Sequence, residues 1–414
     1  MRKQASLMAL FHALGLVLGA EAMSGEAEEP SWWKCPRVAG DLWGLRPKFE
    51  KQGIEAAAGV TVVWQANHGG GISSRPRGRW AGSWDLELTL DTEKAGLWPG
   101  GQFLIYLEGS EGTGIDERYV GSLFGVNGDA YSTGGRHTQF SEWWYEHTLA
   151  DGLLSVRIGK LDATRDLDTN AYANCEVTQF LNTALVNNPT VAFPDYGLGA
   201  QAVLRPGGGF YLTALAMDGE AEGWASGRET LLDGSPYWFV AGEAGLEFEL
   251  PLAERELPGA LRVGAWHDPL RHEVVGGEGR TSKGASGWYL SFDQLLYREA
   301  GEGEDAQGLG VFFRYGYAPD DYSEVEHFWS AGFSYRGPLP GRDDDVLGLG
   351  FAQGRLGGPA RDDLRFADET VWECYYSLFL GRGATVTLDF QYIRHPGAST
   401  SSCIVPGIRF QLDL

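Results

Sequence analysis

The chain has 414 residues, a formal net charge of −23 and a mean hydropathy of −0.24. That acidity excludes a nucleic-acid binder or a basic membrane-surface domain, and that polarity excludes a bundle of membrane helices. The 60 glycines and 13% aromatic residues are spread evenly, with no linker, heptad run or composition break, and they suit many tight turns and interfacial rings.

Arg2 and Lys3 precede a short apolar run, Leu7 to Leu18, and Ala20-Glu21-Ala22 supplies a small-x-small cleavage site. Residues 1–22 therefore read as a secretory signal peptide, 23–53 as an N-terminal segment with a short helix, and 54–414 as one β-barrel domain. Cys35 lies too far downstream to serve as a lipobox cysteine. After the signal no stretch approaches the ~20 apolar residues of a spanning helix. In Asp41 to Gln52, Leu42, Leu45 and Phe49 stand at helical spacing and Gly53 marks the stop, while Pro47 keeps the helix short.

From Ile54 the period changes to two. Ile54, Ala56, Ala58, Val60, Val62 and Trp64 oppose Glu55, Gly59, Thr61 and Gln65. In Trp84 to Asp91, Trp84, Leu86, Leu88 and Leu90 share one face, and Asp85, Glu87, Thr89 and Asp91 the other. Gln102 to Glu108 follows, and Gly109 to Arg136 then loses periodicity as a long loop. Trp143 to Thr148 and Leu153 to Leu161 flank an Asp-Gly turn at Ala150-Asp151-Gly152, before a second long non-periodic stretch, Asp162 to Asn188. Further strands are predicted at Gly199 to Leu204, Phe210 to Met217, Leu246 to Leu250, Leu261 to His267, Trp288 to Tyr297 and Leu309 to Tyr317. Val325 to Arg336, Val346 to Gln353, Thr370 to Leu380, Thr385 to Ile393 and Ile404 to Leu414 complete the series. Short turns alternating with long loops, aromatics crowding strand ends and a terminal amphipathic strand together point to a closed transmembrane antiparallel β-barrel. The competing architecture is a soluble β-sandwich, which also alternates.

The fragments G-D-L-W-G-L-R-P-K-F-E-K-Q-G-I (Gly40 to Ile54) and W-W-Y-E-H-T-L-A-D-G-L-L-S-V-R-I-G-K-L-D (Trp143 to Asp162) resemble the carbohydrate-selective porins of the OprB family. So do F-P-D-Y-G-L-G-A (Phe193 to Ala200), D-Q-L-L-Y-R-E (Asp293 to Glu299), R-Y-G-Y-A-P (Arg314 to Pro319), Gly332 to Gly350, and the ending with H-P-G and G-I-R-F-Q-L. The resemblance covers nearly all of the mature chain. It implies a barrel of about sixteen strands in the outer membrane that passes sugars by passive diffusion. The partners it implies are permeating sugars, outer-membrane lipid and the outer-membrane assembly machinery, with a homo-oligomer left open. It implies no nucleic acid and no cofactor. The chain departs from the family in ending on Leu414 where an aromatic residue is usual, and in carrying Cys175 in a long loop.

A porin needs a constriction and groups that replace water around the solute, so charged and amide side chains beside aromatics are the candidates. Parity turns Asp85, Glu87, Arg157, Glu247, Glu249, Arg314, Arg336, Asp389, Gln391 and Arg409 toward water, because a charge facing lipid costs ~2–4 kcal/mol near the midplane. Lys160, Asp162, Arg165 and Asp166 leave a strand for a long loop, where opposed charges form either a constriction or a loop-anchoring salt bridge. Trp143, Trp144 and Tyr145 either stack on sugars or belong to a membrane girdle. Net acidity leads to an expected preference for cations, unless the acids sit in external loops. No zinc spacing appears among Cys35, Cys175, Cys374 and Cys403; Cys374 and Cys403 lie in neighbouring segments and are either disulfide-bonded or free. The alternative function is a secreted, soluble carbohydrate-binding protein or glycoside hydrolase, but no catalytic fingerprint stands out and no catalytic residue is assigned.

Overall fold

A computed structural model describes residues 37–42, 44–129, 137–225, 237–252, 255–275, 279–299, 307–358, 360, 368–398 and 401–414. The signal peptide expected at 1–22 lies outside the described residues. Among its described residues the N-terminal segment carries one short helix, α1 (Arg46–Lys51), with Pro47 in its first turn and Gly53 beyond its end.

Sixteen strands follow in one closed antiparallel barrel. They are β1 (Ile54–Asn67), β2 (Arg77–Asp91), β3 (Gly101–Gly112), β4 (His137–Leu149), β5 (Leu154–Leu161), β6 (Gly197–Gly207), β7 (Phe210–Asp218) and β8 (Trp238–Leu252). The second half is β9 (Arg255–Glu273), β10 (Thr281–Arg298), β11 (Gly308–Tyr317), β12 (Val325–Arg336), β13 (Val346–Leu356), β14 (Glu369–Gly381), β15 (Ala384–Arg394) and β16 (Cys403–Asp413). Each segment predicted from alternation falls on one of these strands. The C-terminal strand closes the barrel on the first, with Val60 opposite Leu412 and Trp64 opposite Ile408, so no edge is left to pair with another chain.

Connections alternate in length. Two residues join β6 to β7 and β14 to β15, whereas 113–136 and 162–196 join strands at the opposite end. Arg382 and Gly383, at φ 48° and 65°, make the left-handed pair that a two-residue hairpin requires. In outer-membrane barrels the short turns face the periplasm and the long loops the exterior.

The outer surface is apolar. Trp80, Trp84, Phe103, Phe140, Trp238, Trp288, Trp372 and Phe390 are all exposed on it. No helix among the described residues is long and apolar enough to cross a membrane. The aromatic clusters divide between the two faces. Trp143 is 42% exposed and Trp144 5%; Trp238 is exposed and Phe239 buried; Tyr375 is buried inside. Adjacent residues of a strand point to opposite faces, so such a run cannot belong wholly to a girdle.

The inside is not uniformly wet. The loops 113–129 and 162–196 fold into the barrel, and Val120, Phe124, Phe180 and Leu185 pack against Phe312, Phe328, Tyr375 and Val405 of the wall. A second cluster sets Leu167 and Val191 against Leu215, Phe239, Trp266 and Tyr289. At Gly350 an added Cβ would lie 2.8 Å from Leu185 and Phe180, so glycine there lets the loop reach the wall. Cys175, Cys374 and Cys403 are unbonded. Cys374 is exposed on β14 and Cys403 buried on β16, with β15 between them, and this geometry overturns a disulfide between the two.

Candidate functional site

The folded-in loops leave an off-centre cavity of about 870 Å³ between themselves and the wall of β1 to β4. Asp85, Glu87, Glu108 and Glu142 reach it from β2, β3 and β4, and Asp413 from β16. Asp162, Asp168, Glu176 and Asp195 reach it from the loop. Tyr106, Phe193 and Tyr196 give it aromatic surface. Its volume falls within the roughly 300–1,000 Å³ typical of small-molecule sites.

Period-two alternation on β2 brings Asp85 and Glu87 inside. Asp85 pairs across β1 with Gly59, where a Cβ would stand 2.6 Å from the carboxylate, so glycine makes room for it. Glu142 arrives by a different route. Between Tyr106 and Leu107 the β3–β4 register slips, so Glu142 pairs with Tyr106 and Phe140 with Leu107, leaving Ser141 as the extra residue. That bulge shifts parity and buries Ser141 and Glu142 together.

Arg165 lies at the centre of this wall. Its Nε and Nη2 donate to Glu142 at 2.9 and 2.5 Å, and Nη2 donates to Glu87 at 3.2 Å. The guanidinium lies 6.0 Å from the Tyr106 ring centroid. Its Nη1 makes no hydrogen bond among the described residues. A fork held on two sides by carboxylates is fixed in direction, and a donor is left for a solute hydroxyl. Asp162 caps the turn below by accepting from the Thr164 backbone N–H at 2.8 Å and its hydroxyl at 2.7 Å. Arg157 donates to Glu146 at 3.0 Å and pairs with Asp166, and its guanidinium lies 4.3 Å from the Trp144 ring centroid.

The remaining sequence candidates have other surroundings. Lys160 is buried and donates to the carbonyls of Phe140, Gly223 and Ala225 at 2.8, 2.6 and 2.9 Å. Arg314, 0% exposed, donates to the loop carbonyls of Asp168, Ala173 and Leu185 and pairs with Asp168. Arg409 donates to the carbonyls of Glu176 and Gln179, and Gln391 to that of Val126. Asp389 accepts from Gln391 at 3.1 Å. These groups hold the loops. Glu247 and Glu249 border a separate cavity of about 530 Å³ near Arg262 and Asp293, and Arg336 pairs with Asp344 at a turn. Trp143 and Tyr145 line an outer apolar groove with Ile158, whereas Trp144 is enclosed with Arg157.

Sequence reasoning passed over Tyr106, Glu108, Glu142, Glu176 and Asp195. For Tyr106 and Glu108 the signal was present, since they occupy the face opposite Phe103, Ile105 and Leu107.

A sixteen-strand barrel with an apolar exterior, a loop-narrowed lumen and a polar eyelet is the geometry of a porin. The family model of the carbohydrate-selective porins, OprB family, matches residues 75–414. The chain belongs to this family. Porin B of Pseudomonas aeruginosa is 22% identical over 455 residues, covering 99% of this chain and 98% of that protein. The structure of Pseudomonas putida OprB at high pH superimposes with a TM-score of 0.81 at 18% identity, covering 95% of this chain and all (100%) of that one. The low-pH structure of the same protein gives 0.60 at 17% identity, covering 92% and 99%. The protein is thus a sugar porin of the Gram-negative outer membrane, and a soluble β-sandwich is set aside by the closed barrel with its apolar exterior.

Proposed function

We propose that mono- and small oligosaccharides diffuse passively through the off-centre lumen and pass Arg165, Glu87, Glu142 and Tyr106 as its constriction. The single observation that carries this reading is the Arg165 fork, pinned by Glu142 and Glu87 over Tyr106 at the border of the cavity. A sugar presents hydroxyl edges and C–H faces, which a fixed guanidinium with flanking carboxylates and a tyrosine ring complement. Asp162, together with the Arg157–Trp144 pair, supports that geometry, and Glu247, Glu249 and Arg262 border the way out. No bond is made or broken in this reading, and residues 1–22 serve only for export.

Swelling of proteoliposomes in a size series of neutral sugars tests it. Arg165→Ala should let larger oligosaccharides enter and should weaken the preference for sugars over other neutral solutes of equal size. Identical swelling profiles for the variant and the parent protein would remove Arg165 from the constriction.

A further inference from the structure

The charges along the lumen are strongly unequal. Among the described residues, nine side-chain carboxylates border the main cavity, and the only cationic side chains there are Arg37 and Arg165. Arg165 is already matched by Glu142 and Glu87. Arg314 and Arg409, further inside, point their donors at loop carbonyls. Arg157 is paired twice, with Glu146 and Asp166. No lumen-wide positive field therefore offsets the acids.

One of these acids borders the cavity with little to answer it. Asp85 makes no hydrogen bond among the described residues, and the charges acting on it are those of Asp413, Glu108 and Glu87. Asp168 is matched through Oδ2 by Arg314 at 3.2 Å, while its Oδ1 is buried without a hydrogen-bond partner among the described residues. The cavity is walled on one side by loops backed with apolar clusters and on the other by the barrel. Low-dielectric walls of this kind focus the field of a single-sign lining and raise the local concentration of its counter-ion by roughly 10–10³.

We infer that this porin sorts sugars by charge as well as by size, admitting neutral and amino sugars and rejecting uronic acids and sugar phosphates. The inference rests on the sugar-diffusion reading above. An ammonium group on a hexose gains the attraction of the lining at no cost in width. A carboxylate on the same ring meets Asp85, Glu108 and Asp413, with Arg165 already neutralised.

Glucose, glucosamine and glucuronate are close in size and differ in charge, so the purified full-length porin in liposomes at low salt decides the matter. Glucosamine should enter about tenfold faster than glucuronate, with glucose between them. In planar bilayers under a potassium chloride gradient, the reversal potential should report potassium over chloride. Both preferences should collapse in 1 M salt, where the screening length falls to about 3 Å. Asp85→Asn combined with Asp413→Asn, which removes mutual repulsion and leaves an amide oxygen to accept from Gln411, should lower the potassium-to-chloride ratio severalfold. Entry of glucose with equal rates for glucosamine and glucuronate would overturn the charge inference and leave the sugar-diffusion reading standing. Failure of glucose itself to enter would overturn that reading instead. A preference that persists in 1 M salt would also overturn the inference, because a field effect cannot survive such screening.

Discussion

Along β2 to β4 the inward side chains are Asp85, Glu87, Tyr106, Glu108 and Glu142, and they border open space. Along β11 to β16 the inward set is Phe312, Phe328, Tyr375, Ile393 and Val405, and it is covered by loop. Both walls follow the same period-two rule with an apolar exterior. They differ in what the interior meets. Where the wall offers apolar groups and polar groups bonded to loop backbone, a loop condenses on it; where acids line the cavity, open space remains. The channel is thus off-centre because the wall is chemically two-sided. The barrel sets the boundary, and the loop-binding wall sets the width.

The largest expected effect comes from breaking the loop-binding side. Arg314→Ala would leave Asp168 as a buried, unpaired carboxylate and strip donors from three loop carbonyls. Removing one partner of a buried ion pair costs ~3–5 kcal/mol. The loop should leave the wall, so larger oligosaccharides should enter and conductance should rise toward that of an unobstructed barrel. Heat-modifiable migration on gels should persist, because the strand ladder is untouched. An unchanged size cutoff would mean that the apolar cluster holds the loop by itself. Glu373→Gln is a milder cut in the same place. Glu373 accepts from the backbone N–H groups of Leu181 and Asn182 at 2.6 and 2.9 Å, and hydrogen bonds of this kind contribute ~0.5–1.5 kcal/mol each. Faster hydrogen exchange over 171–187, with the barrel strands unaffected, is the expected reading.

The open side responds to pH. Burial raises the carboxyls of Asp162 and Glu176 above the ordinary range, with Glu108 adding to both. Burial also pushes Asp168 up to about 7, against the pull of Arg314 and Arg262 and with the repulsion of Glu243. A raised carboxyl is neutral below its pKa and charged above it. The cation preference should therefore grow as pH rises from 6 to 8 and shrink on acidification. Reversal potentials across that window check the sign, and a flat profile would place these loop acids outside the conduction path.

Much of this was legible in the residues. Every strand carries enough alternation to be found, because burial on one face only forces period two and lipid enforces it on the other. What alternation could not reveal is what the inner face touches. Arg314, Gln391 and Arg409 read as inward and polar, which they are, yet each is turned to a loop backbone. The contact depends on where Asp162 to Asn188 folds, and that stretch has no period since its side chains answer to a wall over a hundred residues away in sequence. Nor could parity carry through Ser141, where one extra residue reverses it and brings Glu142 inside. The aromatic triplet divides for a simpler reason: adjacent residues of a strand point to opposite faces, however closely they cluster in sequence.

That triplet offers the smallest and sharpest test. Beyond the bulge, Trp143 should meet lipid and Trp144 the lumen. Trp144 stacks on Arg157 and donates its indole N–H to Glu142 at 3.2 Å, so Trp144→Ala loosens both neighbours of the eyelet. A cation–π contact of this kind contributes ~0.5–1 kcal/mol when partly exposed, which corresponds to roughly a two- to fivefold change in a rate or affinity. Sugar entry should shift by about that much. Trp143→Ala removes only outward apolar surface beside Ile158, so permeation should hold while unfolding in detergent occurs at lower temperature. If Trp143 altered sugar entry and Trp144 did not, the strand past Ser141 would be turned the other way. Glu142 would then face lipid and Arg165 would lose its principal acceptor, so the two tryptophans together test the register on which the eyelet depends.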